Sequence, residues 1–242
     1  MNYAELHCKT NFSFLEGASH AYELVERAVA LGYTALAVTD RNTLAGVVRA
    51  HAAAREQSLP LIIGAEITPQ DAPPIVLWAT DRAAYGRLAR LITLGRRRAI
   101  KGECALVFDD LAQHAQGLLA GLVTTAHRDP EPDHRSASSR LSTSPDRSDS
   151  TRLFAPELRP LAPPSRDMLR QFRDLFGDRG YLLAALYRGP DDRRQLDELI
   201  AQSQSSRIPL VASGNVLYHM RGRLPLQDVL TAVRHEIGRA HV

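Results

Sequence analysis

The chain has 242 residues, 44% of them hydrophobic and 24% charged, with a formal net charge of +3. That is enough apolar material for the core of one large domain, and no run of eighteen apolar residues exists to span a membrane. Two cysteines, Cys8 and Cys104, exclude a disulfide framework and fit a reducing, cytoplasmic setting.

In chain order, Tyr3 to His7 reads as a short strand. Ser19 is placed to cap a helix through Leu31, with Leu24, Val25, Ala28 and Val29 on one face. Gly32 closes it. Ala35 to Val38 is a second strand, and Ala45 to Gln57 a second helix. Leu61 to Ile67 and Ile75 to Ala79 are apolar strands. Asp81 starts a long helix to Arg98, and Gly117 to Val123 is a further strand. Past a proline- and serine-rich stretch, Ser165 to Phe176 is helical, Tyr181 to Leu186 a strand, Asp191 to Gln204 a helix and Pro209 to Ala212 a strand. Pro225 opens a last helix through Arg234. This alternation predicts an α/β fold, a mostly parallel sheet or barrel.

Between His127 and Ser165 the pattern stops. Half of the fourteen prolines lie there, mixed with serine, arginine and aspartate, and Phe154 is the one aromatic residue. Such a composition buries too little surface to offset its ordering entropy. Residues 127–165 therefore read as a disordered insertion. It divides a domain into a first part, 1–126, and a second part, 166–235. The last seven residues, 236–242, resemble the translation of a cloning adapter, or are a native helix tail.

Chemically capable residues recur at the ends of the strands: His7, Asp40, Glu66, Arg188 and Asn215. In an α/β barrel the carboxyl ends of the strands form one rim, where side chains converge. A single histidine after a strand is more often structural than a ligand. The common placement of the set is what carries the signal.

Four stretches, LHCKTNFSFLEGAS at 6–19, ALAVTDRNTLAGVVRAH at 35–51, LIIGAEI at 61–67 and VASGNVLYHM at 211–220, resemble in order the motifs of the PHP (polymerase and histidinol phosphatase) domains of C-family bacterial DNA polymerases. ATDRAAYGRLARLITLGRRRAIKGE at 79–103 and LQDVLTAVR at 226–234 resemble the error-prone branch. The resemblance implies a PHP-type distorted (β/α) barrel of mostly parallel strands. It also implies that the chain stops before the polymerase active site, with 166–235 leading into the connection to it.

PHP domains with an intact site hold up to three divalent metals and hydrolyse phosphoesters. By resemblance, His7, Glu16 and Glu66 are the vestigial ligand candidates. Lys9 stands where the family's His-x-His motif has its second histidine, and Arg41 follows Asp40 where the family has Thr-Asp-His. Asn215 and Leu217 replace the Asp and His of the closing motif. Ammonium and guanidinium groups have no lone pair to give a metal. The expected outcome is a hydrolytic site converted to salt-bridged packing, in a structural module of an error-prone, translesion DNA polymerase acting in DNA repair and replication. The alternative is an active metal-dependent phosphoesterase, a 3'-5' exonuclease or a pyrophosphatase. The resemblance implies magnesium for the parent polymerase and no cofactor within this stretch. DNA is the implied partner through the complete polymerase, with other translesion or replication proteins possible and no membrane.

Arg96, Arg97, Arg98 and Lys101 form a basic stripe suited to DNA phosphates. A solvated helix end, where cations also suit the dipole, accounts for the same residues.

Overall fold

Strand order in space follows strand order in the chain. The computed structural model describes residues 3–124, 164–187 and 189–235. Seven strands form one sheet: β1 (Ala4–Glu5), β2 (Ala35–Val38), β3 (Leu61–Ile67), β4 (Ile75–Ala79), β5 (Leu118–Val123), β6 (Gly180–Ala184) and β7 (Leu210–Ala212). Four of the six pairings are parallel, and β4 runs antiparallel to both of its neighbours. No helix separates β3 from β4, and only a crossover connection makes consecutive strands parallel.

Helices cover the outside: α1 (Ala21–Ala30), α2 (Val47–Glu56), α3 (Arg82–Arg98), α4 (Phe108–His114), α5 (Arg166–Phe176), α6 (Asp192–Ser206) and α7 (Leu224–Arg234). Asp81 accepts a 2.7 Å hydrogen bond from Ala84 N and caps α3, while Ser165 accepts from Met168 N at 3.1 Å and caps α5. The helix predicted from Ser19 begins after His20 instead. Ser19 Oγ is taken up by residue 219, accepting from His219 N at 3.0 Å and lying 2.8 Å from His219 Nδ1. Glu23 Oε2 accepts from His20 N at 2.8 Å in its place. The seven residues of α4 are too few to give a periodic signal in the sequence.

The sheet curls until its ends meet. Cys8 and Val216 form a parallel bridge, with Val216 N donating to His7 O at 2.8 Å and Lys9 N donating to Val216 O at 2.9 Å. Glu5, buried beside this seam, accepts from His7 N at 2.9 Å and Gly214 N at 2.8 Å. Ala37, Val76, Trp78, Val123 and Leu183 pack inside the curl with Leu6, Ile62, Leu119 and Val211. Trp78 Nε1 donates to Leu6 O at 2.9 Å, which satisfies the one polar atom of the ring. A Cβ on Gly121 would lie 2.5 Å from the Trp78 ring, so only glycine leaves that ring its space. The alternate residues of β3, β4 and β5 face out against Leu88, Leu91, Leu111, Phe172 and Phe176 of α3, α4 and α5.

β5 and β6 are parallel neighbours, so the parts of the chain on either side of the predicted insertion share one sheet. Of that insertion, all but residues 164 and 165 lies outside the described residues, as do Arg188 and the 236–242 tail. No described helix is long and apolar enough to cross a membrane.

Candidate functional site

The first loop is tied down before it can present anything. Asp40, at the end of β2, accepts from Thr10 N at 2.7 Å, Thr10 Oγ1 at 2.8 Å and Ser13 Oγ at 2.7 Å. Ser13 Oγ in turn accepts from Arg41 N at 3.0 Å. Ser13 O receives the amides of Glu16 and Gly17. A Cβ on Gly17 would lie 2.0 Å from Thr10 O, so the turn closes only over glycine. This folding directs Glu16 back over the rim. Burial raises the Asp40 carboxyl above the usual range, against the hydrogen bonds from Ser13 and Thr10 and the charge of Lys9.

Glu66 reaches the same point from β3. Backbone pairing of β2 and β3 continues past Val38 through an Arg41–Glu66 bridge, and Asn42 N donates to Glu66 O at 2.8 Å. Side chains alternate along a strand, so Glu66 shares the inner face with Ile62 and Gly64. His7 Nε2 lies 2.7 Å from Glu66 Oε2.

Lys9 Nζ lies between the two glutamates, 2.9 Å from Glu66 Oε1 and 3.0 Å from Glu16 Oε2. Arg41 and Arg234 both reach Glu16 Oε1, at 2.8 and 3.0 Å. His7, Lys9, Glu16 and Glu66 are all buried. Burial opposes the charge on Lys9, but Glu66 and Glu16 outweigh it and hold the ammonium above the usual lysine value. Burial likewise opposes the charge on Glu66, and Lys9 and His7 overcome it, so this carboxyl lies well below the usual range. Among the described residues, no three His, Cys, Asp or Glu side chains form a group that would hold a metal ion.

The structure therefore gathers His7, Lys9, Glu16, Arg41 and Glu66 in one network at one end of the sheet. Asp40 stands at the same rim, but its oxygens serve the loop. Asn215, with φ of +45°, donates through Nδ2 to Tyr187 Oη at 3.0 Å. Leu217 takes part through its backbone, its carbonyl accepting from Ala18 N at 2.7 Å.

A profile of the PHP domain matches residues 5–184. The chain belongs to the PHP-domain family. It is 46% identical over 235 residues to the error-prone DNA polymerase of Rhodopirellula baltica, an alignment covering 96% of this chain and 18% of the relative. Its identity to the error-prone DNA polymerase of Pseudomonas aeruginosa is 41% over 235 residues, covering 97% of this chain and 19% of the relative. The chain thus spans a small part of the length of these curated relatives. A crystal structure titled as a putative metal-dependent phosphoesterase from Bifidobacterium adolescentis superposes with a TM-score of 0.59 at 15% identity. It covers 91% of this chain and 89% of that one. At that identity the likeness establishes the fold.

Sequence reasoning missed two groups of this PHP domain. Arg234 enters the rim from α7, and nothing in an arginine near a helix end predicts a buried partner. Glu5 carries no motif signal because it falls inside a short strand. The predicted basic stripe divides. Arg96 donates to Asn42 O through Nη2 at 3.0 Å and to Gly102 O through Nη1 at 2.8 Å. Arg98 holds both oxygens of Asp110, at 2.8 and 2.7 Å. Arg97 and Lys101 are exposed.

Proposed function

We propose that this PHP domain is a metal-free structural module of an error-prone DNA polymerase, its hydrolytic centre rebuilt as an ion-pair network. The observation that carries the reading is Lys9 Nζ, within 3.0 Å of both rim glutamates. A divalent ion at that point would have to displace a buried ammonium and then withstand Arg41 and Arg234. Cations a few ångströms apart in a poorly solvated site repel strongly. The remaining donors, His7 with two glutamates already paired, do not fit a cluster of divalent metals, which needs surplus negative charge in its ligands. On this reading the complete polymerase extends primers past damaged template in DNA repair and replication. Its magnesium is bound at a nucleotidyl-transfer site outside this chain, and the complete polymerase meets DNA and other replication proteins.

Metal content by mass spectrometry, together with hydrolysis of a phosphodiester by the purified chain, tests the reading. The expected result is sub-stoichiometric zinc and manganese and no turnover. The fourfold variant Lys9→His, Arg41→His, Asn215→Asp and Leu217→His removes two of the three rim cations, leaving Arg234, and restores four ligands, and it is expected to take up metal. Stoichiometric metal with turnover in the unaltered chain would overturn the proposal and install the phosphoesterase reading, exonuclease or pyrophosphatase.

A further inference from the structure

α3 carries six arginines in 17 residues and no acidic residue. Its inner face is apolar, with Ala84, Leu88, Leu91, Ile92 and Gly95 buried. At 100° per residue, Arg82, Arg90 and Arg97 fall on the opposite face. All three are exposed. Among the described residues none of them makes an ion pair, whereas Arg98 does.

Between Arg82 and Arg90 lies a concavity of about 480 Å³ lined by Arg82, Ala83, Gly86, Arg87 and Arg90. Arg87 is held in position there, its Nε donating to Gln116 O at 2.6 Å. The floor is alanine and glycine, so an anion can approach the helix backbone closely. Along the axis the three outer arginines are spaced by about 12 and about 10 Å, which is about three nucleotide steps of one strand in each interval.

We propose that the outer face of α3 binds the phosphate backbone of duplex DNA through Arg82, Arg90 and Arg97, with Arg87 fixing one phosphate in the concavity. The choice of DNA rests on the polymerase reading above, while the anion-binding face rests on the geometry. A protein partner is disfavoured by the chemistry of the face. Protein interfaces centre on buried aromatic or aliphatic anchors, and the outer face between the arginines offers glycine, alanine and Thr93.

The test is fluorescence anisotropy of the 242-residue chain with labelled duplex DNA across a salt series. Arg82→Ala, Arg90→Ala and Arg97→Ala are combined, and metal content is measured on the same preparation. Loss of three phosphate contacts is expected to weaken binding about tenfold or more and to reduce the salt slope by about three. Circular dichroism and melting temperature are expected to stay unchanged, because the three side chains are exposed. Unaltered affinity and slope in the variant would overturn the proposal, as would a wild-type chain that binds no DNA at low salt. An equal loss against a polyglutamate peptide would also overturn it, in favour of an acidic protein. If DNA binding fails while the preparation stays metal-free, the scaffold reading stands. If it carries metal and turns over substrate, that reading fails instead.

Discussion

Arg234 Nη1 lies 3.0 Å from Glu16 Oε1, so the last described helix is tied to the first loop by one ion pair. At its other end the N-cap residue Arg223 pairs with Glu23 of α1, and the helix itself buries little. Gln227 is its one buried residue, while Val229 and Val233 are exposed. The side chain of Arg234 is 28% exposed, which limits the contribution of the pair to about 1 kcal/mol or less. Arg234→Ala is therefore expected to leave the urea midpoint nearly unchanged while amide protection falls in α7 alone. Protection lost equally from the β strands would contradict this, and so would none lost from α7.

Lys9 is the opposite case, since it is itself buried along with its partners. Removing one member of a buried pair leaves an uncompensated charge, at a cost of about 3–5 kcal/mol. Lys9→Met is expected to destabilise by that amount in urea unfolding. Adding Glu66→Gln is expected to recover part of the loss, because the neutral amide no longer needs a cation. A Lys9→Met chain as stable as wild type would show that the network holds nothing together.

Lys9 and Glu66 both contribute to the pH limits of the fold, alongside Glu23 and Asp110, whose carboxyls are also held below the usual range. The Glu66 carboxyl lies below its unfolded value. Its contribution is present above about pH 4.3 and is lost as the pH falls from there through the folded value. The Lys9 ammonium lies above its unfolded value. Its contribution is complete below about pH 10.4 and is lost as the pH rises through the folded value. Asp40 acts against Glu66 on the acid side. Its raised carboxyl makes the charged form the costly one, so protonation there favours the fold. Melting temperature against pH is expected to give a broad plateau with an acid limb, and Lys9→Met is expected to lose the alkaline limb. An unchanged alkaline limb in that variant would assign it to another group.

β2, β3 and β4 were legible residue for residue, because each is a short apolar run buried on both faces and bounded by turn residues. The ends of the sheet were not. β1 was expected to reach His7 and was found as Ala4–Glu5, because beyond Glu5 the chain turns its hydrogen bonds to the 214–216 segment. That pairing is fixed by closure of the whole sheet, and no local pattern encodes it. The rim was legible as a set of strand ends. Its wiring was not: ion pairs follow three-dimensional reach rather than period, so the sequence offered no route to Arg234. Asp40 and Glu66 look alike in sequence, each ending a strand. The structure separates them by which donors lie within reach, the hydroxyls of Thr10 and Ser13 for one and an ammonium and an imidazole for the other.

The Cys8–Val216 seam has a consequence for the order of events during synthesis. Every strand pairs with its immediate predecessor, so the sheet can grow in chain order, the longest closure between successive strands being the one from β5 to β6. The seam is the exception, since it needs the two ends of the strand series together. Until residues 214–216 have left the ribosome, Glu5 lacks its Gly214 donor and the backbone of His7 and Lys9 lacks its partner. The nascent barrel must therefore persist as an open ribbon with one raw edge at β1 and another at its newest strand. The charged rim is completed last of all, when Arg234 arrives.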